Sequence, residues 1–177
     1  MLAENEAKAT IFVIGGQVNG KGARRTLESA VRGGHELANH AMHDEPSRSL
    51  TSGELTEQVL HVEGLIKAAY NATGIARPEG RYFRPGSGFF SEKMRNLMAE
   101  LGWKIVLGGV YPHDAQISWW RLNAWHILSG VRPGSIVVVH DRRGWTVPML
   151  KRVLPELRRR GYEVVTVSEL LRRQKKG

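Results

Sequence analysis

Cysteine is absent from all 177 residues, so no disulfide can staple the chain, and its redox compartment is left open. Long hydrophobic runs are absent too. No apolar stretch approaches the roughly 20 residues that a membrane-crossing helix needs, and no secretory signal is recognisable at the start. Internal repeats and low-complexity tracts are also missing, which argues against a solenoid or a disordered tail. What remains, with 41% hydrophobic residues, is enough to bury one sizeable core, so residues 1–177 are expected to form a single domain.

Acid is scarce relative to base: 17 Asp and Glu face 26 Lys and Arg, a formal charge of +9. The surplus falls late, in Lys151-Arg152, Arg158-Arg159-Arg160, Arg172-Arg173 and Lys175-Lys176. In a helix from Val147 to Arg160, Met149, Leu150, Val153, Leu154 and Leu157 form an apolar stripe, which leaves the basic residues on the wet face. No nucleic-acid module accompanies them, so no nucleic-acid partner is expected. Such a face would still attract an anionic glycan or membrane surface.

Strand and helix patterns alternate along the chain. Strands are predicted at residues 10–14, 36–39, 82–84, 104–107, 135–140 and 163–166, and helices at 22–32, 52–73, 91–101, 118–129, 147–160 and 168–173. Thr51 or Ser52 with Glu54, Ser91 with Glu92, and Ser168 with Glu169 mark helix starts. Gly33, Gly74, Gly102, Gly130 and Gly161 mark ends. Alternation of this kind predicts an α/β fold with a parallel sheet or barrel.

Two short segments carry chemistry. Gly34 to Asp44 reads G-H-E-L-A-N-H-A-M-H-D, which places imidazoles and a carboxylate just past an apolar segment. Those are donors of borderline hardness, suited to Zn²⁺ or a similar divalent ion. The same residues also suit a solvated turn stabilised by the Asp44 side chain. Ser135 to Asp141 reads S-I-V-V-V-H-D, a buried-strand run ending in His140, and strand ends are where α/β sheets and barrels place their chemistry. A histidine there can exchange protons near neutral pH. Trp119, Trp120 and Trp125 share one predicted helix, so at least one belongs to the core, whereas Trp145 follows His140 on a loop and is the better candidate for a groove wall.

The order of these pieces resembles the polysaccharide deacetylases of the NodB-homology type, carbohydrate esterase family 4. Lys8 to Gly15, K-A-T-I-F-V-I-G, resembles that family's second barrel strand. Gly34 to His40 resembles the entry to its metal motif, Phe83 to Gly88 its R-P-x-x-G motif, and Gly134 to Asp141 its last motif, while Asp114 sits where a later motif has an Asp. The resemblance implies a distorted (β/α) barrel and metal-dependent removal of acetyl groups from acetylated polysaccharide or oligosaccharide. It implies that His40 ligates the metal, that Arg84 orients a base, that Asp114 holds the imidazolium of His140, and that His140 protonates the leaving amine. It further implies that Ser87 and Gly88 line the substrate groove beside Trp145. Members of the family are often secreted or wall-associated, but the sequence leaves localisation open.

Three departures modify that expectation. The family's metal motif is usually H-[ST]-x-x-H, so the second ligand position holds Asp44, with His43 one residue early; Asp44 is the favoured ligand because one residue of slip turns a side chain to a different face. Gly86-Ser87 stands where the family often has Pro-Tyr, and Ala115 where it often has Trp, changes expected to open the groove floor. Finally, no Asp-Asp pair occurs in these residues, whereas the family begins with a strand ending in T-F-D-D-G-P that supplies a base and a ligand. The chain is therefore expected to lack the barrel's first strand, to bind Zn²⁺ or a similar ion weakly or not at all, and to have little activity alone. The alternative is a non-catalytic glycan- or partner-binding relic. Loss of the first strand would also expose the edges of the strands at 10–14 and 163–166, which would pair directly or form a homodimer.

Overall fold

The computed structural model describes residues 1–175, so Lys176 of the last basic pair lies outside the described residues. The chain divides into two compact units, residues 9–106 and Met1–Lys8 with Leu107 and the residues after it.

The first unit is built on parallel strands. Strands β1 (Thr10–Val13), β2 (Glu36–Asn39), β3 (Tyr82–Phe83) and β4 (Lys104–Ile105) form a sheet in that order, all pairs parallel. Every residue of β2 is buried, as a parallel strand covered on both faces requires. Helix α1 (Gly20–Arg32) and helix α2 (Ser52–Thr73) pack with β1 and β2 through Val13, Val31, Leu37, Val62, Ile66 and Tyr70. A second cluster joins Ala41, Leu55, Val59 and Phe83 to Met94 and Met98 of helix α3 (Glu92–Glu100), and to Trp103. The buried apolar residues of α2 recur at 55, 59, 62, 66, 69 and 70, one stripe of a 3.6-residue repeat. Its start is a full capping box: Glu54 N–H donates to Thr51 Oγ1 at 3.2 Å and Thr51 N–H to Glu54 Oε2 at 2.7 Å. Hydrogen bonds to its carboxylate from the Thr51 side chain and the Thr51 backbone hold Glu54 below its ordinary range.

The second unit is helical at its core. Val110 with Ala124 and Ile127 of helix α4 (Trp120–Gly130) packs against Met149, Val153 and Leu157 of helix α5 (Thr146–Arg159). Helix α6 (Val167–Gln174) follows, capped by Thr166, whose Oγ1 accepts from Glu169 N–H; the predicted cap at Ser168 is displaced by two residues. Trp120 packs on this core, while Trp119 and Trp125 are exposed.

Two predicted strands are not formed. Residues 135–140 make a single bridge, Val137 to Val110, because the partner segment is Gly108-Gly109-Val110-Tyr111-Pro112: glycines weaken pairing and Pro112 has no N–H to donate. Residues 163–166 form no strand: Lys8 N–H donates to the Val164 carbonyl at 2.8 Å, while the preceding Ala7 N–H turns back to Leu2. Among the described residues the hydrogen-bonded sheet is open, with β1 at its edge.

The basic face is neutralised in part by its own acids. Glu156 accepts from Arg159 and Arg160, and Glu169 from Arg172 and Arg173. These hydrogen bonds lower each carboxyl to about 2 from an ordinary 4.5. A folded-state value below the unfolded one stabilises the fold above pH 4.5 and loses that contribution as pH falls towards 2. Thermal melts followed by circular dichroism should therefore show a midpoint that drops over that window. In Glu156→Gln/Glu169→Gln the drop should be shallower, and in high salt smaller still.

Candidate functional site

In the first unit the site begins where β2 ends. Asn39, fully buried, donates Nδ2–H to the Val59 carbonyl at 2.9 Å and accepts from Ala41 N–H at 2.9 Å, while its own carbonyl takes Arg84 N–H. This ties strand, helix and loop at one residue. Just beyond, His40 Nδ1 faces the Arg84 carbonyl at 2.6 Å. A carbonyl only accepts, so Nδ1 carries a proton, and in the neutral ring the lone pair is on Nε2. That lone-pair nitrogen is 3.5 Å from Asp44 Oδ1, and two ligands of one tetrahedral ion sit about 3.4 Å apart for bonds near 2.1 Å. His40 and Asp44 thus fit as two donors to one divalent ion. No group of three or more His, Cys, Asp or Glu able to hold a metal occurs among the described residues. His43 turns elsewhere, its Nδ1 lying 3.3 Å from where a Cβ on Gly16 would stand.

The loop carrying these residues is pinned along its length. Gly15 and Gly16 N–H donate to the carbonyls of Ala41 and Met42 at 3.0 and 2.8 Å. Gln58 of α2 accepts from Met42 N–H at 3.0 Å and donates Nε2–H to Glu45 Oε1 at 2.9 Å. Further on, buried Ser47 accepts from Gly86 N–H at 2.7 Å. A Cβ on Gly86 would collide with the Glu45 carbonyl oxygen. The expected opening at Gly86 is therefore not found: the backbone of Glu45 fills the space a side chain would take.

The R-P-x-x-G segment follows β3. Ser87 adopts φ +56° and turns its hydroxyl onto the Gly86 carbonyl at 2.7 Å. Gly86 N–H is spent on Ser47 and Gly88 N–H on the Pro85 carbonyl. The far end of the Arg84 guanidinium lies 4.0 Å from the Cβ position of Gly88. Phe89 and Phe90 follow, both exposed, with the Arg48 guanidinium 5.8 Å from the Phe89 ring centre.

In the second unit, Asp114 is completely buried and commits both carboxylate oxygens to one residue. Its Oδ2 accepts His140 N–H at 2.7 Å and its Oδ1 meets His140 Nδ1 at 2.9 Å. The ring is thereby oriented with Nδ1 protonated and Nε2 available for proton transfer. Thr146 Oγ1–H donates to the His140 carbonyl at 2.6 Å, and Trp145 Nε1–H to the Asp114 carbonyl at 2.9 Å. Trp145 is half-buried at the start of α5, so it braces Asp114 as well as standing beside His140. The Tyr111 ring lies edge-on to His140 with centres 5.8 Å apart.

Within each unit, then, predicted residues meet: His40 with Asp44 and the Arg84 backbone, and Asp114 with His140 and Trp145. Sequence reasoning missed Asn39, Gln58, Ser47 and Tyr111. Of these, Asn39 was visible as the one amide at the end of an apolar strand. Backbone strain gathers at the same places. Of the five non-glycine residues with positive φ among the described residues, Ala41, Ser87, His113 and Arg142 each lie within three residues of His40, Arg84, Asp114 or His140.

Comparison with known proteins converges on one family. The sequence model described as polysaccharide deacetylase matches residues 1–106. A peptidoglycan-N-acetylglucosamine deacetylase of Bacillus cereus is 29% identical over 97% of this chain and 79% of its own length. The structure of a peptidoglycan deacetylase from Bacillus subtilis superposes with a TM-score of 0.85 at 22% identity, covering 99% of this chain and 81% of that one. A mutant of a carbohydrate esterase family 4 pseudoenzyme, described as having restored enzymatic activity, superposes with a TM-score of 0.83 at 26% identity, covering 96% and 59%. With the family model spanning more than half of the sequence, the chain belongs to the polysaccharide deacetylases.

Proposed function

We propose that this chain is built for metal-dependent hydrolysis of acetyl groups on carbohydrate, N-acetylglucosamine polymers or related acylated sugars, and that these 177 residues alone carry it out weakly. The observation that carries the reading is the buried Asp114 clamping both the backbone and the ring of His140. A carboxylate sealed from water with both oxygens on one histidine costs desolvation that a merely structural turn would not require.

His40 and Asp44 would hold a divalent ion, with His43 remaining outside. Bound there, such an ion would polarise the acyl carbonyl and lower the pKa of a water. The chain's own groups do the rest. Water adds to the acyl carbon and loses its proton to solvent, the imidazolium of His140 gives its Nε2 proton to the departing amine, and the C–N bond breaks to leave acetate. Asp114, accepting from Nδ1–H, holds the ring so that Nε2 is the nitrogen left to give up its proton. The Ser87 N–H, flanked by amides already spent, is the donor left to meet the developing oxyanion, a contact worth on the order of 3 kcal/mol. Trp145 and the exposed Phe89 offer ring faces to a sugar.

Weak activity follows from the ligand count, since catalytic zinc normally has three protein ligands. A binding relic is the second reading, favoured by the two-residue donor set and by the pseudoenzyme among proteins of this fold.

Calorimetry with Zn²⁺ should show weak binding that His40→Ala weakens at least about tenfold, the usual cost of losing part of a metal shell; tight binding indifferent to that change would exclude this ligand assignment. Acetate release from chitin oligomers should sit at or near background. Robust release abolished by His140→Ala would instead mean that another carboxylate, such as Glu45 or Asp141, serves as base.

A further inference from the structure

We infer that Gln58 is a positioning residue for the metal-ligand loop, setting where Asp44 stands relative to His40; this rests on the ligand assignment proposed above. Asp44 sits on a turn whose two ends are both held by this one side chain. Gln58 Oε1 accepts from Met42 N–H at 3.0 Å and Gln58 Nε2–H donates to Glu45 Oε1 at 2.9 Å. The side chain therefore spans residues 42 to 45 and encloses His43 and Asp44 between its two bonds. Ala41, inside the same loop, has no hydroxyl or amide with which to do this from within.

The surrounding contacts explain why the brace matters. Met42 is already fixed on its other side, its carbonyl accepting from Gly16 N–H at 2.8 Å. The Glu45 carbonyl lies over Gly86 with no room for a side chain, so residue 45 cannot move in that direction. Gln58 sits one residue before Val59, whose carbonyl takes the Asn39 amide. The helix turn that supports His40 through Asn39 thus also supports Asp44 through Gln58. Asp44 itself is 62% exposed at its side chain, so burial does not hold it. Its 3.5 Å approach to His40 Nε2 is inherited from the ends of the turn.

Polarity gives a test that separates positioning from mere stability. Gln58 donates to one partner and accepts from the other, and Glu45 only accepts. In Gln58→Glu two carboxylates face each other across the turn. In the double variant Gln58→Glu/Glu45→Gln, the carboxylate introduced at position 58 accepts from both Met42 N–H and the amide introduced at position 45, so both bonds return with one reversed.

The experiment is Zn²⁺ titration by calorimetry on the full chain, with a thermal melt of each variant. Gln58→Leu and Gln58→Glu should each bind Zn²⁺ about tenfold or more weakly, as variants lacking outer-shell partners of metal ligands typically do. The double variant should recover to within about threefold of the parent. Single variants that bind Zn²⁺ like the parent, or a folded double variant that stays as weak as Gln58→Glu, would overturn the positioning role and leave the ligand assignment standing. A folded parent that binds no Zn²⁺ would overturn both.

Discussion

Asn39 is the joint on which the first unit turns. One buried amide side chain and its carbonyl reach α2 through Val59, the loop through Ala41 N–H and β3 through Arg84 N–H. An amide is suited to this because it donates and accepts at once, and here both functions are satisfied without solvent. Leaving any partner unpaired in the interior would cost about 1–3 kcal/mol. His40 follows immediately and takes the next carbonyl of the same strand end, that of Arg84. The orientation of the imidazole is thus a continuation of the ladder between β2 and β3.

The second unit reaches a comparable result by other means. Its extended segments barely pair, and His140 is held by side chains: Asp114 on its N–H and ring, Thr146 on its carbonyl. A completely buried aspartate replaces the sheet as the fixing element. That exchange is chemically sensible, since a carboxylate accepts through two oxygens at once and so fixes both the backbone and the ring of one residue, which a single carbonyl does not.

Much of this was legible in the sequence. Strand β2 and helix α2 fall where the pattern puts them, because apolar runs bounded by Gly34 and capped by Thr51 leave little choice. Asp114 with His140, and His40 with Asp44, were legible through ordered motifs. The extended segments near 137 and 164 were misread as strands because β-branched composition reports a preference for extension. Whether a ladder forms depends on the partner, here glycine- and proline-bearing Gly108 to Pro112 in one case and, in the other, the segment reaching Lys8, whose preceding amide turns back to Leu2. The loop braces were illegible for a related reason. Gln58 and Ser47 are ordinary polar residues whose meaning lies in which amide happens to face them across the fold.

The close approach of Glu45 to Gly86 couples two departures that look separate in sequence. Because the Glu45 carbonyl oxygen occupies the place where a Cβ of residue 86 would stand, the turn bearing Asp44 and the segment after Arg84 share one volume. A proline restored at 86 would have no place unless the chain at 44–45 were rerouted, and rerouting it would move whatever ligand stands at 44. The two positions are therefore sterically coupled, and a bulkier residue at 86 requires a different turn at 44–45. Substitution histories at these sites should be correlated even though about 40 residues of chain separate them.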